Sequence, residues 1–288
     1  QPFENPKVGY VQVVQAYYNQ AETFVARAAA EQTYMFYGPY MEAMGNFGSA
    51  QAIGANCTFR RAALESIGGH APGLTEDMHT SMLLHAKGWE SVYMPKVLSR
   101  GLVPSSISAY YKQQLKWSRG TFDLWINLFP RLFQNFSWRQ NIHYGLMPVY
   151  YLFGLIALID ISVPIYSLVT GEYPWLLNPF VFFAYFVPFL VFSLIVRLYA
   201  QNWLHDSHEQ GVHVFGGLLR VGTWWIYVLG FIYTLLNIKV PYIPTPKEYT
   251  SKNEFLLGLP NLLVAVISLA AAIYGLDQDW QPYSFLMA

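Results

Sequence analysis

Thr75-Glu76-Asp77 places two adjacent carboxylates where a helical pattern begins. Asp77 has two readings there. It is either an N-cap accepting backbone N–H bonds or a general base that removes a proton from a hydroxyl as it attacks an activated carbon. Glu76 would shape the local field or bind the acceptor. Downstream, Gln113 and Trp117 stand at i and i+4, hence on one helical face, with Lys116 adjacent. An indole can bury the apolar face of a pyranose, an amide can bond its hydroxyls, and an ammonium can balance a diphosphate. The competing reading is a membrane-surface helix with an aromatic anchor and a snorkelling lysine. A third element, Val240-Pro241-Tyr242-Ile243-Pro244-Thr245-Pro246-Lys247, carries three prolines. It reads as a stiff loop with Thr245 and Lys247 as phosphate partners, or as a plain linker.

The elements that must position these residues change character along the chain. Val8 to Gln15 reads as a β-branched strand and Ala21 to Tyr40 as an aromatic-rich helix. Arg60 to Ile67 reads as a short helix closed by Gly68-Gly69. A further helix runs from Met78 to about Lys87 and stops at Gly88, and Trp89 to Met94 is a strand with Pro95 behind it. This is an α/β layout, without internal repeats. From Ser105 to Gln134 the pattern is amphipathic, with aromatics among Lys112, Lys116, Arg119 and Arg131, as in a helix lying in a membrane interface.

Composition points the same way: 54% of the 288 residues are hydrophobic and only 12% charged, against roughly 25% charged in an ordinary soluble domain. Zero net charge gives no support to nucleic-acid binding. Cys57 is the single cysteine, so an intrachain disulfide or Cys-based metal cage is excluded. Tyr144 to Val169, Leu177 to Tyr199 and Leu256 to Leu276 are each long enough to cross roughly 30 Å of hydrocarbon. The acidic flanks at Glu172, Asp277 and Asp279 put those ends outside. Thr223 to Val240 is nearly as apolar but has basic residues on both sides, Arg220 and Lys239, Lys247, Lys252. It is read as an interfacial or re-entrant helix rather than a fourth span. Within the spans, Arg197 would snorkel to phosphates, and Asp160 should face protein, water or a polymer path. Tyr150, Tyr151, Trp175, Phe182, Phe183, Tyr185 and Phe186 suit sugar platforms, interfacial belts or helix packing. The chain has no N-terminal Met and no signal-peptide pattern, and Gln1 is read as a cut inside a longer protein.

Taken in order, the three motifs and the apolar segments resemble the cellulose synthase-like branch of family 2 glycosyltransferases, over nearly the whole chain. The resemblance implies the C-terminal part of a GT-A catalytic domain at residues 1–104, interfacial helices at 105–140, and a transmembrane channel region at 141–288 with a gating loop near 240–254. The activity it implies is inverting and processive: sugar, glucose in the first instance, passes from a UDP-sugar to a growing β-glycan that crosses the membrane. A mannan, chitin or hyaluronan-like product remains open, as does a transporter without transferase activity.

Thr75-Glu76-Asp77 looks like the T-E-D motif, with Asp77 as base. Gln113, Lys116 and Trp117 look like Q-x-x-R-W, which holds the acceptor end and the donor diphosphate. Tyr242 to Lys247 is similar to the gating loop F-x-V-T-x-K, giving Thr245 and Lys247 nucleotide contacts. Gly54-Ala55-Asn56-Cys57 followed by Arg60-Arg61 resembles the acceptor-side strand and helix, which assigns Gly54, Asn56 and Cys57 to substrate. Lys116 departs from the family arginine, turning a bidentate fork into a point charge, and Tyr242 and Pro244 replace Phe and Val. The implied Mg²⁺ or Mn²⁺ would find its D-x-D ligands upstream of Gln1, as would the uridine. Asp277-Gln278-Asp279 has that spacing but falls on the opposite side of the membrane from Asp77. The implied setting is the inner cell membrane, multi-pass, with the catalytic part cytosolic. An accessory export subunit is the protein partner the resemblance allows.

Overall fold

The computed structural model describes residues 2–173, 178–241, 254–280 and 282–288. A three-stranded sheet with order β3-β1-β4 stands at the centre of the first half. β1 (Val8–Val13) is buried along its whole length, which explains why its residues are apolar on both faces apart from Gln12. It pairs antiparallel with β3 (Cys57–Phe59) and parallel with β4 (Glu90–Met94). A second, two-stranded parallel ladder joins β2 (Ala16–Tyr17) to β5 (Arg100–Gly101). The sheet is thus mixed and the half is α/β, as expected, although the first strand ends two residues earlier than Gln15.

The helix expected over Ala21 to Tyr40 is α1 (Phe24–Met35) followed by a π turn at Phe36–Tyr40, beyond which a second helix begins. α1 starts on Thr23, whose hydroxyl accepts the Ala26 N–H at 3.0 Å, and α2 spans Met41–Asn46. Between them Gly38 leaves helical geometry (ψ −109°) just before Pro39. Proline lacks the N–H that would continue the ladder. A Cβ at Gly38 would also stand 2.9 Å from the Trp203 carbonyl, so the kink is where a distant loop docks. α3 (Arg61–Ser66) and α4 (Glu76–Ala86) follow, and α4 ends on the turn leading to Gly88, whose φ is +85°.

α5 (Ile107–Asp123) is capped by the Ser106 hydroxyl and by the Glu254 carboxylate, which accepts the Ile107 and Ser108 N–H groups at 2.9 and 3.1 Å. Its aromatic residues Tyr110, Tyr111 and Phe122 are buried in protein. Beyond a π turn and the short α6 (Phe129–Leu132), α7 (Trp138–Leu146) opens with a Ser137/Gln140 capping box. Tyr144, expected to begin a membrane span, instead sits in α7 with no exposed surface, packed among Met78, Met82, Leu124 and Phe136. The apolar helix starts only after Pro148.

Among the described residues, three helices are long and apolar enough to cross a membrane: α8 (Val149–Thr170), α9 (Pro179–Ala200) with its 3₁₀ extension, and α12 (Leu259–Gln278). α8 packs on α12, where Gly275 lies directly against Leu168. The segment expected as one helix over Thr223 to Val240 is the end of a bent pair. α10 (Val214–Gly222) and α11 (Trp224–Leu235) meet at 48°, and together they suit a broken span or a re-entrant loop. α11 stops at Leu235 because Asn237 turns into the left-handed region, φ 52°. α13 (Pro282–Met287) closes the chain.

Candidate active site

Asp77 is the second residue of α4, and the N-cap position belongs to Thr75, which makes no side-chain cap bond. The cap reading of Asp77 therefore does not describe this helix. One carboxylate oxygen does take the Met78 N–H at 2.7 Å. The other faces Gly54, where a Cβ would come within 3.1 Å of Oδ2. Gly54 has φ +70°, so its backbone and its missing side chain both suit this close approach. Burial raises the Asp77 carboxyl from its usual range to about 6 against that backbone bond, with Glu76 raising it further and the Lys116 charge lowering it.

The loop that brings Gly54 to Asp77 hangs on Gln12, a residue in the middle of β1 with no exposed surface. Its amide donates to the carbonyls of Val13 and Ala55, each at 2.8 Å, and to Asn56 at 3.2 Å, while its oxygen accepts the Ile53 N–H at 3.1 Å. Ser81 anchors the same loop from α4, accepting the Ala52 N–H at 2.8 Å and donating to the Asp77 carbonyl at 3.0 Å. Neither residue figured in the sequence reading. The available signal was a lone glutamine inside a β-branched strand. Asn56 (φ 55°) donates to the Val14 carbonyl and to Gln15. Cys57 is half-buried, and burial first, then the Asp77 charge, pushes its thiol up to about 12. It stays a thiol at neutral pH.

α5 forms the opposite wall. Gly120 presses against Thr75 so closely that a Cβ would sit 2.7 Å from its methyl and 2.8 Å from its hydroxyl. One turn back, Lys116 lies near enough for its charge to act on Asp77. Gln113, Lys116 and Trp117 are all half-buried. Thr75, Glu76, Asp77, Gly54, Cys57 and Lys116 thus converge. Tyr37, at the α1–α2 kink, joins them electrostatically: burial holds its hydroxyl well above its ordinary range, and the charges of Tyr17 and Asp77 add to this.

Thr245 and Lys247 lie outside the described residues, as does Trp175. The chain on either side of residues 242–253 is attached to α5. Arg119 donates to the Ile238 carbonyl at 3.3 Å and to the Asn237 side chain at 3.5 Å, and Glu254 caps the other end of the helix. Arg197 donates to His213 Nδ1 at 3.0 Å. Asp160 is exposed on α8. Phe182, Phe183, Tyr185 and Phe186 are exposed on α9, whereas Tyr150 and Tyr151 pack against Tyr227. Among the described residues no group of three or more His, Cys, Asp or Glu could hold a metal ion.

The described residues thus form a mixed α/β half in which a half-buried aspartate is reached by the Lys116 charge of α5, followed by long apolar helices. Residues 2–241 match glycosyl transferase family group 2, and the chain belongs to that family. Its relatives include the cellulose synthase catalytic subunit of Pseudomonas fluorescens (strain SBW25), 24% identical over 96% of this chain and 38% of that protein. Cellulose synthase 2 of Novacetimonas hansenii is 24% identical over 94% of this chain and 17% of its own length. The chain thus spans well under half of the curated relatives it matches. Among solved structures, mannosyltransferase PcManGT from Pyrobaculum calidifontis, in complex with GDP-Man and Mn²⁺, is similar over 82% of this chain and 56% of its own, at 13% identity and TM-score 0.43.

Proposed function

We propose that this chain carries the acceptor and base half of an inverting, processive β-glycosyltransferase that uses a UDP-sugar, glucose first, and passes its polymer into the membrane region. The observation that carries it is the setting of Asp77: half-buried, raised to about 6, faced by a side-chain-free Gly54 and reached by the charge of Lys116. A carboxylate of that basicity is ionised at neutral pH yet basic enough to accept a proton. The acceptor hydroxyl gives its proton to Asp77, its oxygen bonds to the anomeric carbon, and the bond from that carbon to the diphosphate breaks, releasing UDP.

Lys116 steadies the diphosphate, with Thr245 and Lys247 as its partners on the nucleotide. Gln113 and Trp117 hold the acceptor sugar, and Gly54, Asn56 and Cys57 line its other side. Glu76 tunes the field at Asp77, and Thr75 fixes the turn against Gly120. A divalent cation, Mg²⁺ or Mn²⁺, supplies charge neutralisation on the diphosphate in such reactions. The described residues provide no ligand set for it. The three long apolar helices among the described residues support a membrane setting, with the α/β half proposed to be cytosolic. The full-length protein in membranes, given radiolabelled UDP-sugars one at a time with Mg²⁺ or Mn²⁺, should make a polymer that a linkage-specific β-glycanase digests. Sugar uptake by the membranes without any polymer would instead favour a transporter.

A further inference from the structure

Gln32, in the middle of α1, uses three hydrogen bonds to reach three other helices. Its Nε2 donates to the Gly216 carbonyl of α10 at 2.9 Å. Its Oε1 accepts the Tyr110 hydroxyl of α5 at 2.7 Å and the Tyr150 hydroxyl of α8 at 2.9 Å. The Gly216 carbonyl can only accept, so it fixes which way the amide points, leaving the oxygen with both lone pairs engaged. Neighbouring Glu31, itself only 8% exposed, takes the Gly216 N–H at 2.8 Å, so one peptide position of α10 is gripped on both its donor and its acceptor. A Cβ at Gly216 would stand 3.0 Å from the Glu31 Cβ, which is why the helices can approach this closely.

The contacts form a ring. Four residues beyond Gly216, Arg220 donates to the Tyr150 carbonyl at 3.3 Å and lays its guanidinium 4.4 Å from the Tyr150 ring and 4.6 Å from Phe153. Tyr150 then returns to Gln32. Tyr110 ties the ring to α5 one turn before Gln113, and about 10 Å along the axis from Trp117. The adjacent Gln114 is bonded by Tyr227 of α11 at 3.4 Å. Because Tyr110 and Tyr227 are buried and engaged, this cluster is a joint between helices rather than a set of open sugar platforms.

We infer that Gln32 is a positioning residue that holds the first turn of α8 in line with the Gln113/Trp117 face, so that a chain leaving that face meets the membrane helices in fixed register. This rests on the processive reading above. A slack joint should let single transfers proceed while growing chains are lost early.

The test uses the full-length enzyme in membranes, measuring UDP release and product length together. In Gln32→Leu, UDP release should stay within about twofold of wild type while mean product length falls about tenfold. Tyr150→Phe removes one hydroxyl and should shorten the product by about threefold. The double variant should shorten it no further than Gln32→Leu alone, because both act through one joint. Unchanged length in a folded Gln32→Leu enzyme overturns the inference. So does a proportional fall of release and length in both single variants with a lowered thermal midpoint, the mark of a merely structural contact. If wild type makes no polymer from any donor, the processive reading fails first and takes the inference with it.

Discussion

The α/β half and the apolar helices obtain order in different ways. In the first, large side chains such as Tyr10, Met82, Leu84 and His85 are almost wholly buried by other parts of the same chain, and Gln12 and Ser81 have their polar groups engaged. In the second, α9 buries none of its apolar window and α12 very little. The α/β half is therefore held by directional contacts, whereas the long apolar helices leave most of their apolar surface uncovered by the rest of the chain. Substitutions should be costly and specific in the first region and mild in the second.

The sharpest way to break that contrast is at Asp77. Asp77→Asn should cut turnover by about 10² or more while sparing donor binding. Its folded value near 6 lies above the ordinary 3.8, so the ionised form is disfavoured by folding. That contribution to stability is present below 3.8 and lost as pH rises through about 6. The neutral asparagine should consequently raise the thermal midpoint at pH 7, measured by melting in detergent. A variant both active and unshifted would remove Asp77 from the chemistry.

Gly54→Ala comes next, because the new methyl meets Asp77 Oδ2 and the backbone must keep φ +70°. Turnover should fall about tenfold, with stability lower by on the order of 1 kcal/mol. Smaller is the effect of Lys116→Met on the pH profile. The acid limb of kcat/KM should inflect near pH 6 in wild type and move to higher pH in the variant, since a cation that lowers the Asp77 value is gone. Lys116→Arg should keep the limb in place and leave donor use intact or improved.

The smallest expected effects concern stability alone. Burial depresses His85 to about 3 and His143 to about 4. Between those values and 6.5 the unfolded chain binds more protons, so stability should rise with pH across that window and level off above it. Denaturant midpoints at pH 5 and 7 report this directly. Exchanging Phe189 or Phe192, exposed on α9, for leucine should shift the midpoint hardly at all.

Much of the skeleton was readable because it rests on local chemistry: the Gly88 stop, the β-branched strand and the three long apolar runs. Asp77 and Lys116 could be named from their motifs and Gly54 from the family resemblance, and the structure brings the three near one another. What escaped depends on contacts between distant segments. Gln12 holds residues more than forty positions away, which no window reveals. Tyr144 was assigned to a span because an aromatic run looks alike in lipid and in a core; only the buried His85 ring and the methionines around it show which it is. The kink before Pro39 was missed, because helical composition on both sides masked the Gly38-Pro39 signal.

α5 carries Tyr110 of the proposed joint, the proposed substrate face at Gln113 to Trp117 and the Gly120 contact on a single uninterrupted rod. Each residue of a helix turns its side chain by about 100° relative to the last. Deleting or inserting one residue between Tyr110 and Gly120 would thus swing Lys116 or Gly120 out of alignment with everything N-terminal to the change. The segment should accept many exchanges of letter and almost no change of length, a signature that a deep insertion and deletion library would expose as a gap over these eleven positions.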